Sequence, residues 1–387
     1  MSRAALRVVT AGAFWLAGAT MCLAVDPHLD RSIVEGGCAS CHEGHGVSRS
    51  PMLPAPQVDV CLSCHGSQVA IDLSVSTGRL AADVRPSLLS SVLAQPFTHP
   101  LSRGAFSRRE PDSVTCTSCH SAHRGSREIA DSGRESGRQK LSTRDAVRLE
   151  FELCQSCHGF EGSATQSFLD ISRLTSPQNR SFHPIEAPAM ESSPSVDAEL
   201  TGLEINCTDC HGNSDPSGPA GPHGSEYRYI LSSQYVTVDG SQESSEAYAL
   251  CYRCHDRDML YGSSSFPLHD LHVAEERASC ATCHSAHGSV DNRSLIRFSE
   301  ETILAGVSQS PTSGRLAFVS DGPGSGACYV FCHGVDHAPE SYGGLEAELT
   351  DRPAKLIGRS VTGSTGIAVN ERSRRPTAAQ RPDIPVP

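Results

Sequence analysis

Along most of this chain, apolar residues stand singly or in pairs among serines, glycines and prolines. Nowhere beyond the N-terminus do they hold a helical or strand period for long. The one sustained apolar run covers residues 8 to about 24. It follows Arg3 and Arg7, so it has the charged start and apolar middle of a secretory signal, with cleavage expected near Ala24. As an anchor it would be barely long enough, thinned by Thr10, Gly12 and Gly18, and no later segment is a candidate to cross a bilayer. Cys22 follows the bulky Met21 rather than the small residue that lipoprotein processing prefers. Farther on, the pattern predicts a short helix over 143–153 and small strands over 230–238 and 316–319. It also predicts a solvated Arg/Ser/Gly-rich linker over 124–148 and a disordered Arg/Pro-rich end over 372–387.

Composition sharpens this picture into a deficit. Hydrophobic residues make up 38% and aromatics 5% of 387 residues, while Gly (33) and Pro (24) are plentiful. Such a polypeptide is marginal at burying enough surface to offset its ordering entropy, so something besides side chains must fill the interior. Seventeen Cys and 18 His are the obvious candidates. The net charge of −12 argues against a nucleic-acid partner, which would need a basic face.

Loss of the leader removes Cys22 and leaves sixteen cysteines in eight close pairs. Seven share one form: Cys38-Ala-Ser-Cys41-His42, Cys61-Leu-Ser-Cys64-His65, Cys116-Thr-Ser-Cys119-His120, Cys154-Gln-Ser-Cys157-His158, Cys207-Thr-Asp-Cys210-His211, Cys251-Tyr-Arg-Cys254-His255 and Cys280-Ala-Thr-Cys283-His284. The eighth, Cys328-Tyr-Val-Phe-Cys332-His333, has one extra residue between the thiols. Two thiols on one short turn can each add to a haem vinyl group while the next residue's imidazole swings under the ring to bind iron. Zinc ribbons also use paired CxxC hairpins, but they do not require His at the following position. Disulfides across two-residue gaps would be strained, redox-active bridges. The pattern therefore predicts haem c at seven regular sites, with an eighth at Cys328/Cys332 if the extra residue bulges out of the turn.

The motif histidines, His42, His65, His120, His158, His211, His255, His284 and His333, each supply one axial ligand on this reading. Ten remain: His28, His45, His99, His123, His183, His223, His269, His272, His287 and His337. The mature chain keeps only Met52, Met190 and Met259, so bis-histidine ligation is the economical assignment and implies lower potentials than His/Met ligation. His337 reads equally well as a surface residue, and one of His269 and His272 is redundant; the residues do not decide which. His45, His123 and His287 share an offset of three after a motif His. On a helical continuation each would lie on its own haem's proximal side, where the iron is taken, so each should reach a neighbouring haem. Packed haem pairs are the expected consequence.

Read two by two, the motifs form tandem units after a leader at 1–24: 25–96, 97–180, 181–265 and 266–345, with a tail at 346–387. Each has a His upstream of its first motif: His28, His99, His183, and His269 or His272. Proline after His99 and His183 favours extended backbone there. In the third unit Ser214 stands at the expected offset, and His223 on a Gly/Pro loop is the substitute. On these motifs, from residue 28 to 333, the chain resembles the doubled-CXXCH family of multihaem c-type cytochromes. The resemblance implies electron transfer by stacked bis-His haems in periplasmic or outer-surface respiratory chains.

The expected fold is therefore mostly irregular, with short α-helices at the haem motifs, four two-haem units and little β structure. The leading function is electron carriage, because a bis-His iron has no open position for substrate. The alternative is a multihaem reductase acting on nitrite, hydroxylamine or a sulfur oxyanion, which needs one exchangeable site; no CxxCK motif marks one. A third possibility is a subunit of a polymeric haem wire. Arginines suit haem propionates. Expected partners are other cytochromes, a membrane quinol-oxidising complex or an outer-membrane complex, reached from the periplasm or the cell surface.

Overall fold

The computed structural model describes residues 27–47, 52–101, 114–120, 122–123, 150–159, 170–189, 193–262, 266–298, 307–322 and 324–343. The leader with Cys22, the linker over 124–148, the predicted helix up to residue 149 and the C-terminal stretch lie outside them. The chain divides into Met1–Leu345 and Glu346–Pro387, and the second unit holds no described residue.

The helices are short, and most contain a cysteine pair: α1 (Gln57–His65), α2 (Gln68–Ser76), α3 (Cys116–Cys119), α4 (Glu150–His158), α5 (Ile171–Thr175), α6 (Cys207–Cys210), α7 (Arg257–Tyr261) and α8 (Cys280–Cys283). The first and sixth motifs sit on 3-10 turns, Gly37–Ser40 and Cys251–Arg253. Seven of the eight pairs thus occupy a helical turn, where residues three apart share a face.

Local sequence explains these turns. α1 and α4 begin Gln-Val-Asp-Val-Cys and Glu-Phe-Glu-Leu-Cys, with acids in the first turn, where the helix dipole favours them. α3 and α6 open on capping boxes: the Thr115 N–H donates to Ser118 Oγ at 3.0 Å, and the Asn206 N–H to Asp209 Oδ2 at 2.7 Å. The helix predicted to end at the fourth motif instead runs through it to His158.

Two-residue ladders join distant segments. β1 (Phe97–Thr98) pairs antiparallel with β3 (Gly224–Ser225), and β2 (Ser181–Phe182) with β4 (Gly288–Ser289). Toward the C-terminus, β5 (Val307–Ser308), β6 (Ala317–Gly322), β7 (Ser325–Cys332) and β8 (Val335–Tyr342) form one antiparallel sheet in which β7 pairs with the other three. β6 covers most of the predicted 316–319 strand, but the sheet around it exceeds the little β structure expected. The eighth cysteine pair lies on β7, not on a helical turn. The strand predicted over 230–238 is absent: positive φ at Tyr229 (64°) and Ile230 (54°) turns the chain away from extension, and Leu231 makes only isolated bridges to His211 and Tyr227.

Among the described residues fully buried apolar side chains are few and dispersed, Val58, Ile71, Tyr248 and Ala327 among them. The described residues instead surround one continuous cleft of about 4830 Å³, lined by Leu93, Ile171, Ile185, Leu231, Tyr235 and Val273 along with the motifs from the second onward. An ordinary small-molecule site holds roughly 300–1,000 Å³, so this space suits several large apolar groups.

Candidate haem-binding sites

Sixteen of the eighteen histidines face one another in eight pairs. Ring centroids are 6.1 Å apart for His28 and His65, 5.8 Å for His42 and His123, 6.3 Å for His99 and His158, and 5.8 Å for His120 and His223. They are 6.4 Å apart for His183 and His255, 6.2 Å for His211 and His287, 6.3 Å for His269 and His284, and 6.3 Å for His272 and His337. A metal–nitrogen bond of roughly 2 Å on each side, plus about 1 Å from each Nε2 to its ring centre, puts two trans imidazoles about 6 Å apart.

The pairing follows a register. Even-numbered motifs face the upstream His of their own unit: the second His28, the fourth His99, the sixth His183. Odd-numbered motifs face a His from the following unit: the first His123, the third His223, the fifth His287. The seventh faces His269, upstream in its own unit. His223 thus takes the place that Ser214 leaves empty, and both His269 and His272 have partners. His45 is exposed and faces no other imidazole. His333, the eighth motif's histidine, presents its Nε2 to Asp239 Oδ2 at 2.9 Å.

Backbone carbonyls aim six of the sixteen paired rings through Nδ1. Nδ1 of His65, His99, His211, His272 and His284 lies 3.1, 3.0, 2.8, 2.8 and 2.7 Å from the carbonyls of Ser87, Pro222, Tyr229, Leu268 and Ser294. His183 Nδ1 meets the Ala286 carbonyl, and His255 Nδ1 the Ser195 hydroxyl at 2.9 Å. An Nδ1 so engaged leaves Nε2 as the free ligand atom and sets the ring plane. Burial holds His120, His255, His269 and His287 down to a pKa of about 4, so these imidazoles stay in the neutral form that binds metal.

The two short ladders do this work in duplicate. β1 against β3 brings His99 beside His223, and β2 against β4 brings His183 beside His287. Each His-Gly-Ser segment is then locked by a buried serine: Ser225 Oγ donates to the Leu231 carbonyl at 2.6 Å, and Ser289 Oγ to that of Ile296 at 2.7 Å. Positive φ at Tyr229–Ile230 and again at Ser294–Leu295 turns a carbonyl toward His211 and His284 respectively. In the sequence this duplication shows only as His-Gly-Ser, the proline after His99 and His183, and the arginine before each positive-φ pair.

Neighbouring motifs lie close together in sequence order. The thiol of Cys61 hydrogen-bonds Cys116, that of Cys154 bonds Cys207, and that of Cys251 bonds Cys280. Between them, Cys41 and Cys64, Cys119 and Cys157, Cys210 and Cys254, and Cys283 with Cys328 and Cys332 lie within electrostatic reach. Polar clamps reinforce three junctions. Gln57 bonds Thr117; Glu150 accepts from Thr208 N and Oγ1 at 2.8 and 3.0 Å; Asp239 accepts from the Ser279 N–H at 2.7 Å and from Thr282. Gln57 and Glu150 each stand four residues before a motif's first cysteine, a spacing that could have flagged them.

The sixteen motif cysteines are free of disulfides, and no cluster of three or more His, Cys, Asp or Glu among the described residues forms a metal cage. Two imidazoles alone do not fill an iron's coordination sphere; a porphyrin supplies the other four donors. Paired thiols, trans-spaced imidazoles and an apolar cleft therefore fit haem.

Two family descriptions match the chain: the doubled CXXCH motif over residues 32–70, and "Outer membrane cytochrome MtrC/MtrF-like, domains II/IV" over residues 112–295. The first span holds two motifs and the second five, and the eighth lies outside both. No curated protein and no solved structure matches.

Proposed function

Because this chain belongs to the doubled-CXXCH multihaem c-type cytochromes, we propose that it carries electrons along eight covalently attached haems arranged in sequence order. The carrying observation is the set of eight imidazole pairs, all at 5.8–6.4 Å, strung beside cysteine motifs that lie close to one another in sequence order. Bound haem supplies an iron that cycles between ferric and ferrous states. The chain's own residues do the rest. Motif cysteines would fix each porphyrin edge, the eight facing imidazole pairs would hold the irons, six of these rings being aimed by a backbone carbonyl, and the apolar cleft would limit the access of water. With both axial positions filled, no iron is left for substrate, which favours a carrier over a reductase.

The leader-like N-terminus supports a mature protein outside the cytoplasm, in the periplasm or, as the outer-membrane family description favours, at the cell surface. Among the described residues no helix is long and apolar enough to cross a membrane. Partners are other redox proteins. The test is intact mass of the purified, exported protein together with carbon monoxide binding after reduction. Eight haem additions on a chain starting near residue 25, with no rapid carbon monoxide binding, is the expected result. A colourless protein at polypeptide mass overturns the proposal, and stoichiometric carbon monoxide binding by the wild-type protein returns the reductase reading.

A further inference from the structure

The eighth cysteine pair breaks two rules that the other seven obey, and one structural cause accounts for both. It sits on β7. Side chains alternate faces along a strand, so residues three apart point to opposite sides and residues four apart to the same side. A two-residue gap would separate the thiols; the three-residue gap of Cys328-Tyr-Val-Phe-Cys332 reunites them. Cys328, Val330 and Cys332 all line the cleft, and Tyr329 and Phe331 do not.

The same alternation turns the residue after Cys332 away from the cleft. Cys332 pairs with Val335, leaving His333 and Gly334 as a two-residue hairpin loop. Both have positive φ, 49° and 85°, the requirement of a type I′ turn. His333 then uses Nε2, the atom that would bind iron, on Asp239, whose other oxygen receives the Ser279 N–H and Thr282 hydroxyl at the start of α8. Across the ladder Val330 pairs with His337, and directly opposed residues share a face, so His337 stands beside the two thiols. It faces His272 at 6.3 Å, and Nδ1 of His272 is anchored on the Leu268 carbonyl. Phe266 packs against His272 at 5.6 Å and against Tyr342 of β8 at 4.9 Å, closing the side of this chamber.

The geometry points to a hairpin-borne eighth haem site in which Cys328 and Cys332 form the thioethers and His337 and His272 are the axial ligands, while His333 fastens the hairpin to the seventh motif. The assignment rests on the eight-haem reading. Each thioether forms by addition of S–H across a vinyl C=C: sulfur bonds the carbon next to the ring, the hydrogen goes to the terminal carbon, and no electrons are lost or gained. His272 also completes the register, since even-numbered sites take the upstream His of their own unit.

The experiment compares haem-loaded full-length wild type with His333→Ala and His337→Gly by intact mass and low-temperature EPR of the oxidised protein. Wild type and His333→Ala should each hold eight haems, all low-spin. His337→Gly should keep eight haems and convert about one-eighth of the iron to a high-spin signal that added imidazole abolishes. His272→Gly should behave the same way, which keeps the test open if one variant is lost to misfolding. The reverse pattern, high-spin iron in His333→Ala and none in His337→Gly, overturns the assignment. So does a wild-type protein with seven haems and an unmodified peptide spanning Cys328 and Cys332, although that result leaves the seven regular sites standing. Only a haem-free wild type would sink both readings.

Discussion

A histidine with Nδ1 hydrogen-bonded to a backbone carbonyl has one nitrogen left, and the fold decides where that nitrogen points. His183 is the clearest case: its backbone N–H donates to the His287 carbonyl at 3.1 Å, its Nδ1 meets Ala286, and its ring faces His255. His183→Ala should therefore leave haem attachment intact but open one iron, giving rapid carbon monoxide binding at about one haem per chain, read from the reduced difference spectrum. His45 shares the Cys-His-x-x-His offset with His123 and His287, so the bare motif marks it as a ligand. Its exposure gives the opposite expectation: His45→Ala should change neither the EPR spectrum nor carbon monoxide binding. Offset alone could not separate these residues, because a ligand needs an acceptor iron in the right register, and among the described residues no imidazole faces the exposed His45.

At the scale of elements, the molecule places its rings with ladders only two residues long. These are tight enough to need glycine: a Cβ on Gly288 would fall on the Leu174 carbonyl and crowd that of Ser181, and one on Gly224 would fall on the Val92 carbonyl. Gly288→Ala should cost about 1–3 kcal/mol through forced backbone displacement. It should also disturb the fifth and sixth sites together, because β2 and β4 hold His183 and His287 side by side. Thermal unfolding and the EPR lines of two irons rather than one would check this. The helical motifs were readable because their signals are local: a cap, an acidic first turn, two thiols three residues apart. The C-terminal sheet was not, because strand pairing draws on partners many residues away, and Cys328/Cys332 looked like a stretched helical turn until β7 showed the spacing to be that of a strand.

On the whole-molecule scale, the deficit of apolar side chains and the large cleft are two views of one fact. A polypeptide with so few fully buried residues should not close around empty space, so haem attachment and folding should be coupled. Protein made without haem attachment is expected to lack a cooperative calorimetric transition and to be digested rapidly by protease, while the haem-loaded protein melts cooperatively. The net charge of −12 also predicts that association with a basic redox partner weakens steeply as salt rises, measurable as a fall in association rate between low and physiological ionic strength.

What the sequence determined by itself was the chemistry: thiol pairs followed by histidine belong to a short covalent pattern, legible without any neighbour, and they place the chain among the multihaem cytochromes. It also carried the tandem order of the motifs and the surplus of histidines over motifs. Which imidazole faces which, that His269 and His272 both find partners, that His337 is drawn in while His45 stays outside, and that consecutive motifs lie close together were decided only by tertiary structure. The physical reason is distance along the chain. Attachment needs atoms a few bonds apart, whereas a facing imidazole pair joins residues tens to more than a hundred positions apart, and only the folded path of the backbone brings them together.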